Sequence, residues 1–143
     1  MSLLFLLFRL MLVAVTAFAF WRGDRDTRLA AVICCIATLA SQLLLSPVAR
    51  RYSGVEAGDL AVDLLTLVGF VAVALRSGRF WPLWVSGLQL ITSVGHLLKA
   101  ADWSLLPRAY GAATMFWSIP ILLILAVGTW RSHRRKVTGL IAT

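Results

Sequence analysis

From Asp59 to Ala100 the chain reads DLAVDLLTLVGFVAVALRSGRFWPLWVSGLQLITSVGHLLKA, two long apolar runs joined by the short polar link Arg76 to Arg79. A hydrocarbon core of about 30 Å takes about 20 helical residues to cross, so each run has the length of a membrane span and the short link makes them antiparallel. Asp63 lies one turn into the first run and His96 one turn from the end of the second, which predicts that they share one depth. An ionisable group inside a span is costly unless it is paired or hydrated, and such residues are therefore the first candidates for a site.

The rest of the chain fits the same constraint. Of 143 residues, 60% are hydrophobic and 14% charged, with a mean hydropathy of +0.87, whereas a soluble domain is about half apolar and about a quarter charged. Apolar runs over about residues 3–21, 29–45, 59–75, 80–100 and 110–130 nearly exhaust the chain. The expected fold class is all-α, an integral membrane bundle of five transmembrane helices in a single domain, with no room for a soluble catalytic domain. The first run lacks a basic leading region, carries Arg9 in its middle and is followed by three arginines, so it reads as a retained anchor and not as a signal peptide. Cys34 and Cys35 are adjacent inside an apolar run, which excludes a spaced metal motif and leaves small buried hydrophobes.

A formal charge of +8 would suggest nucleic acid as the partner of a soluble protein. Here the basic residues stand mostly at the ends of apolar runs, as orientation on insertion requires. The expected partners are the lipid bilayer and another membrane protein or a second copy, with no nucleic acid. Arg22, Arg25, Arg28, Arg76, Arg79, Arg131, Arg134, Arg135 and Lys136 fall on one side, and Arg50, Arg51, Lys99 and Arg108 on the other. The positive-inside rule then predicts a multi-pass inner-membrane protein with its amino terminus outside and its carboxyl terminus in the cytoplasm. Trp21, Trp81, Trp84 and Trp130 fall at the inner interface and Trp103 at the outer one, as an aromatic belt would. The link RGDRDTR reads as a solvated turn, and RSHRRKVTGLIAT after Trp130 as a basic surface segment.

With about 1.5 Å of rise per residue, Arg9 lies about 9 Å and Asp63 and His96 about 6 Å below the outer surface. Gln42, Ser93, Thr114 and Ser118 fall in the same half, and span four carries one polar stripe through Ser86, Gln89, Thr92, Ser93, His96 and Lys99. The candidate cluster is Arg9, Gln42, Asp63, Gln89, Ser93, His96 and Lys99. Such a layer can be a self-paired network, in which Arg9 snorkels outward or pairs with Asp63 and His96 donates to Ser93 or a carbonyl. It can instead be a wet, outward cavity in which Asp63 and His96 bind a proton, an ion or a polar head group. Self-pairing is the commoner arrangement, so the expected function is an accessory or interaction subunit without catalytic activity. The alternative is a transport or proton-relay element.

Glycine-rich phosphate loops, HExxH and paired cysteine motifs are absent, and no cofactor is expected. The stretch Trp84-Val85-Ser86-Gly87 resembles the serine region of rhomboid-like proteases, but Trp84 replaces the needed glycine, and Ser86 is about 15 Å of helical rise from His96. A two-histidine haem site is excluded within one chain, because His133 falls on the opposite side from His96. The segments FWPLWVSGLQLITSVGHLL (80–98) and PRAYGAATMFWSIPILLILAVGTWRSHRR (107–135) resemble small multi-span inner-membrane proteins of alphaproteobacteria that have no assigned function. The resemblance implies a bacterial inner membrane and brings no catalytic residues with it.

The distribution of basic residues has a direct test. A reporter active only in the cytoplasm should work when fused after Thr143, and one active only in the periplasm should work near Gly54. The reverse pattern would overturn the orientation.

Overall fold

The computed structural model describes residues 3–44, 55–101 and 107–141. They form five helices, α1 (Leu3–Arg22), α2 (Arg25–Leu44), α3 (Val55–Ser77), α4 (Trp81–Ala101) and α5 (Pro107–Ile141), with no strand among them. The loop with Ser46, Pro47, Arg50 and Arg51 and the link with Asp102 and Trp103 lie outside the described residues, as do the side chains of Lys99, Arg108 and Thr114.

The α1–α2 link is two residues long, and it is not the solvated turn that its charge density predicts. Gly23 N donates to Ala19 O at 2.9 Å. A Cβ at Gly23 would stand 2.2 Å from that oxygen and 2.3 Å from Thr27 Oγ1, so the turn closes only on glycine. Asp24 then caps α2, its Oδ1 accepting from the Thr27 amide and the Thr27 hydroxyl, each at 3.0 Å. Capping a helix N-terminus with Asp is worth about 1 kcal/mol, enough to start the helix four residues before the apolar run begins. Thr27 is fully buried as a result.

The second tight link follows α3. Gly78 adopts φ +58°, the left-handed conformation that ends many helices and that glycine takes without steric cost. Pro82 enters α4 within its first turn, where its missing N–H would have had no partner in any case. At 35 residues, α5 is about 52 Å long and runs well past Trp130. The basic segment after Trp130 is therefore helix, not a loose surface segment: Arg131 to Thr138 contains no glycine or proline, and arginine and lysine are good helix formers.

α3 packs against α2 and α4, and α5 against α1 and α4. Leu12, Ala31, Phe70, Val85 and Leu125, one from each helix, are all buried in the central core. Ala19, Ala30 and Ala31 are almost wholly inaccessible; small residues of this kind let helix backbones approach closely. Thr16 Oγ1 and Cys35 Sγ add a polar contact between α1 and α2 at 3.4 Å. Among the described residues, two segments, Arg25–Leu43 and Gly58–Ser77, are long and apolar enough to cross a membrane, and each is only 22% buried within the bundle. A core helix of a soluble protein would be mostly buried, so these apolar side chains point outward.

One end of the bundle is tied by a polar knot. Asp24 Oδ2 pairs with Arg79 of the α3–α4 link and accepts from Ser132 Oγ of α5 at 2.9 Å. Arg79 Nη1 also donates to Ser132 Oγ at 2.6 Å. Lys136 Nζ donates to Gly23 O at 3.1 Å, and Arg22 Nη1 donates to His133 Nε2 at 2.8 Å. Burial pushes the Asp24 carboxyl upward, but the Thr27 amide, the Ser132 and Thr27 hydroxyls and the Arg79 guanidinium outweigh it and leave its pKa below the ordinary 3.8.

The sign of that shift sets a test. The knot's electrostatic contribution is complete above the unfolded pKa near 3.8 and is lost as pH falls through the lower folded value. Asp24→Asn keeps a capping oxygen but removes the charge, and should cost about 2 kcal/mol at pH 7. Thermal melts in detergent from pH 7 to pH 3 should show the variant closest to wild type at the acid end. A gap that does not narrow on acidification would rule out Asp24 as the group responsible.

Candidate functional site

The opposite end of the bundle holds a cavity of about 280 Å³, just below the usual range of about 300–1,000 Å³ for small-molecule sites. Its polar wall is built from all five helices, through Arg9, Gln42, Asp63, His96 and Ser118, and its apolar floor includes Leu12, Phe70, Ile121 and Leu122. The periodicity of the helices explains why these side chains converge. Asp59, Asp63 and Thr66 recur at steps of four and three on α3, and Gln89, Thr92 and His96 recur at steps of three and four on α4, so each set shares one face. The close α3–α4 packing brings the two faces together.

Asp63 is the centre of the arrangement. His96 Nε2 lies 2.7 Å from its Oδ2, and Gln89 Nε2 donates to its Oδ1 at 3.0 Å. Both carboxylate oxygens are thus engaged by donors from α4. A carboxylate held in this way orients the imidazole, the arrangement in which an Asp-His couple can share a proton. The two side chains keep 21% and 13% of their surface accessible, so the pair faces the cavity and is not sealed in the core. Across the cavity, Arg9 Nη2 donates to Gln42 Oε1 at 2.9 Å and joins α1 to α2.

The seven candidates from the sequence therefore have different places. Arg9, Gln42, Asp63, Gln89 and His96 line the cavity. Ser93 is buried and donates to Gln89 O at 3.0 Å within its own helix, and it is not in the cavity wall. The side chain of Lys99 lies outside those described. Asp59, Thr38 and Ser41 also line the wall; their signal was the same helical spacing that marked their neighbours on α2 and α3. Ser86 donates to Pro82 O at 2.8 Å and does not line the cavity with His96, which removes a Ser86-His96 couple. Among the described residues, no three His, Cys, Asp or Glu side chains converge as metal ligands would.

No protein-family model, curated protein or solved structure matches the chain. The reading of the site rests on its own geometry.

That geometry predicts an energetic coupling. Asp63→Ala and His96→Ala should each lower the melting temperature in detergent, and the double variant should lose less than the sum. A coupling between about 0.5 and 2 kcal/mol is expected for contacting polar groups in an apolar bundle. Strict additivity would mean that the Asp63-His96 contact contributes nothing to the folded state.

Proposed function

We propose that the chain is a multi-pass membrane protein, in a bacterial inner membrane, and that it serves as a transport or proton-relay element without catalytic activity. The observation that carries the functional part is the Asp63 carboxylate, gripped by His96 and Gln89 in the wall of a polar cavity. The pair keeps part of its surface open to the cavity, where a proton or small ligand could reach it. The membrane setting is supported by the two outward-facing apolar helices and by Leu43, Leu75 and Phe80, which are 85%, 80% and 82% exposed. Large apolar side chains exposed to this degree are covered by lipid in such a setting, or by a partner. Arg22 lies over the Trp21 ring and Arg134 over the Trp130 ring, at 4.5 and 5.3 Å from the centroids, which suits guanidinium-aromatic pairs at a membrane interface. These residues and the other basic residues of the knotted end support a cytoplasmic position for that end, leaving the cavity on the outer side.

A second reading, an accessory subunit packed against another membrane protein or a second copy, draws on the same exposed apolar surface. One experiment separates the two. Reconstituted in proteoliposomes under a pH gradient, the wild type should pass protons above the leak of empty vesicles, and both Asp63→Asn and His96→Gln should reduce that flux at least tenfold while eluting as folded protein on gel filtration. Wild-type flux equal to the leak, combined with a stoichiometric partner retained in mild detergent, would establish the accessory role instead.

A further inference from the structure

We propose that Arg22, His133 and Lys136, where the end of α1 meets α5, form a binding site for the phosphate of an anionic phospholipid in the cytoplasmic leaflet. This rests on the membrane setting and orientation proposed for the chain, and it adds a lipid partner at the end of the bundle opposite the cavity.

Two contacts between α1 and α5 build the site. Arg22 Nη1 lies 2.8 Å from His133 Nε2, and Lys136 Nζ donates to Gly23 O at 3.1 Å. Arg22 and Gly23 are neighbours in the chain, and His133 and Lys136 are one turn apart on α5, so the three basic side chains converge on one spot. A guanidinium has no acceptor, so His133 Nε2 accepts from Arg22 and the ring carries its proton on Nδ1. The Arg22 guanidinium is further held over the Trp21 ring, 4.5 Å from its centroid.

Basic side chains fixed in this way commonly meet a carboxylate. Among the described residues, none of these three does so within ion-pairing distance. Asp24, which follows Gly23, is engaged by Arg79, Ser132 and Thr27, and Asp26 stands with Arg25 and Arg28 at the start of α2. The imbalance continues along α5, which has no acidic residue in its 35 positions. Arg131 is three residues from Arg134 and four from Arg135, the spacings at which like charges on a helix repel. An anion beside this stretch relieves that repulsion. Arg22 and Lys136 each spend one N–H on a neighbour and have others left, and a phosphate diester offers the acceptors that match them.

Depth selects a lipid as the source of that phosphate. The head-group layer adds about 5–7 Å to each side of the hydrocarbon core. With Trp21 and Trp130 at the boundary, Arg22 lies just past it, and His133 and Lys136 lie about 4 and 9 Å of helical rise beyond, with the Lys136 ammonium reaching back to Gly23. The three groups thus stand at the level of lipid phosphates. A zwitterionic phospholipid carries an ammonium beside its phosphate, which the Arg22 and Lys136 charges disfavour. A phospholipid with a neutral alcohol as its head group presents the phosphate charge alone.

Native mass spectrometry of the full-length protein from mild detergent can count the lipids held by each chain. Offered equimolar phosphatidylglycerol and phosphatidylcholine, the protein should retain one tightly held phosphatidylglycerol, at least tenfold over phosphatidylcholine. Arg22→Gln combined with Lys136→Gln keeps donors toward His133 and Gly23 and removes both charges; at about fivefold per basic residue, it should lower that preference at least fivefold. Arg131→Gln combined with Arg135→Gln removes as many charges from the same end, outside the three, and should leave the tight lipid in place. Inorganic phosphate in hundredfold excess should not displace it. Equal retention of the two lipids, or an equal loss in the two double variants, would overturn the proposal, and displacement by inorganic phosphate would overturn it in favour of a free-anion site. Flotation with vesicles of pure phosphatidylcholine tests the membrane setting separately: a protein that does not float overturns that setting and the lipid site with it, whereas one that floats and shows no preference for phosphatidylglycerol overturns the lipid site alone.

Discussion

The Asp24 carboxylate accepts from the Thr27 amide, the Ser132 hydroxyl and the Arg79 guanidinium, and through these contacts the start of α2, the α3–α4 link and the long α5 are fixed at one end. The tie is half-buried, where charge-assisted hydrogen bonds are stronger than at an exposed surface. It joins segments separated by 55 and 108 positions in the chain. Apolar helices in a bilayer gain little from hiding apolar surface against one another, because lipid is equally apolar. In the membrane setting proposed above, directional polar contacts of this kind set the relative positions of the helices more sharply than apolar packing does.

At the opposite end the same physics has a different result. The polar atoms there are also paired, Asp63 with His96 and Gln89, and Arg9 with Gln42, yet the pairs stand around a space and do not fill it. Their hydroxyl neighbours turn their protons toward their own helices. The result is a wall held together by bonds within and between its helices. The pairs that hold α3 to α4 also border the cavity.

The five helices were legible because membrane-length apolar runs leave few alternatives, and the face of α4 was legible because Gln89, Thr92 and His96 repeat at helical spacing. The partner of Arg9 was not: nothing in a sequence distinguishes Gln42 from Asp63 as its acceptor once both lie at one depth, and the rotation of each helix decides it. The knot was harder still. Asp24, Arg79 and Ser132 stand in three separate links or ends, each of which looks like ordinary solvated charge, and only the packing brings them together. The helical boundaries erred for a related reason. Reading hydropathy alone, Arg25 to Arg28 and Arg131 to Thr138 fall outside the spans, whereas a capping carboxylate and a run without glycine or proline carry the helices through both segments.

Pro120 lies inside α5, between Ser118 in the cavity and Ser132 in the knot. Proline has no amide proton to give to the carbonyl of Phe116, so the rod is missing one internal brace at the level of the cavity. Its far portion is clamped through Ser132 and Lys136. The missing brace and the clamp thus fall at opposite ends of one rod, so along α5 the backbone is least supported beside the cavity and most supported at the knot.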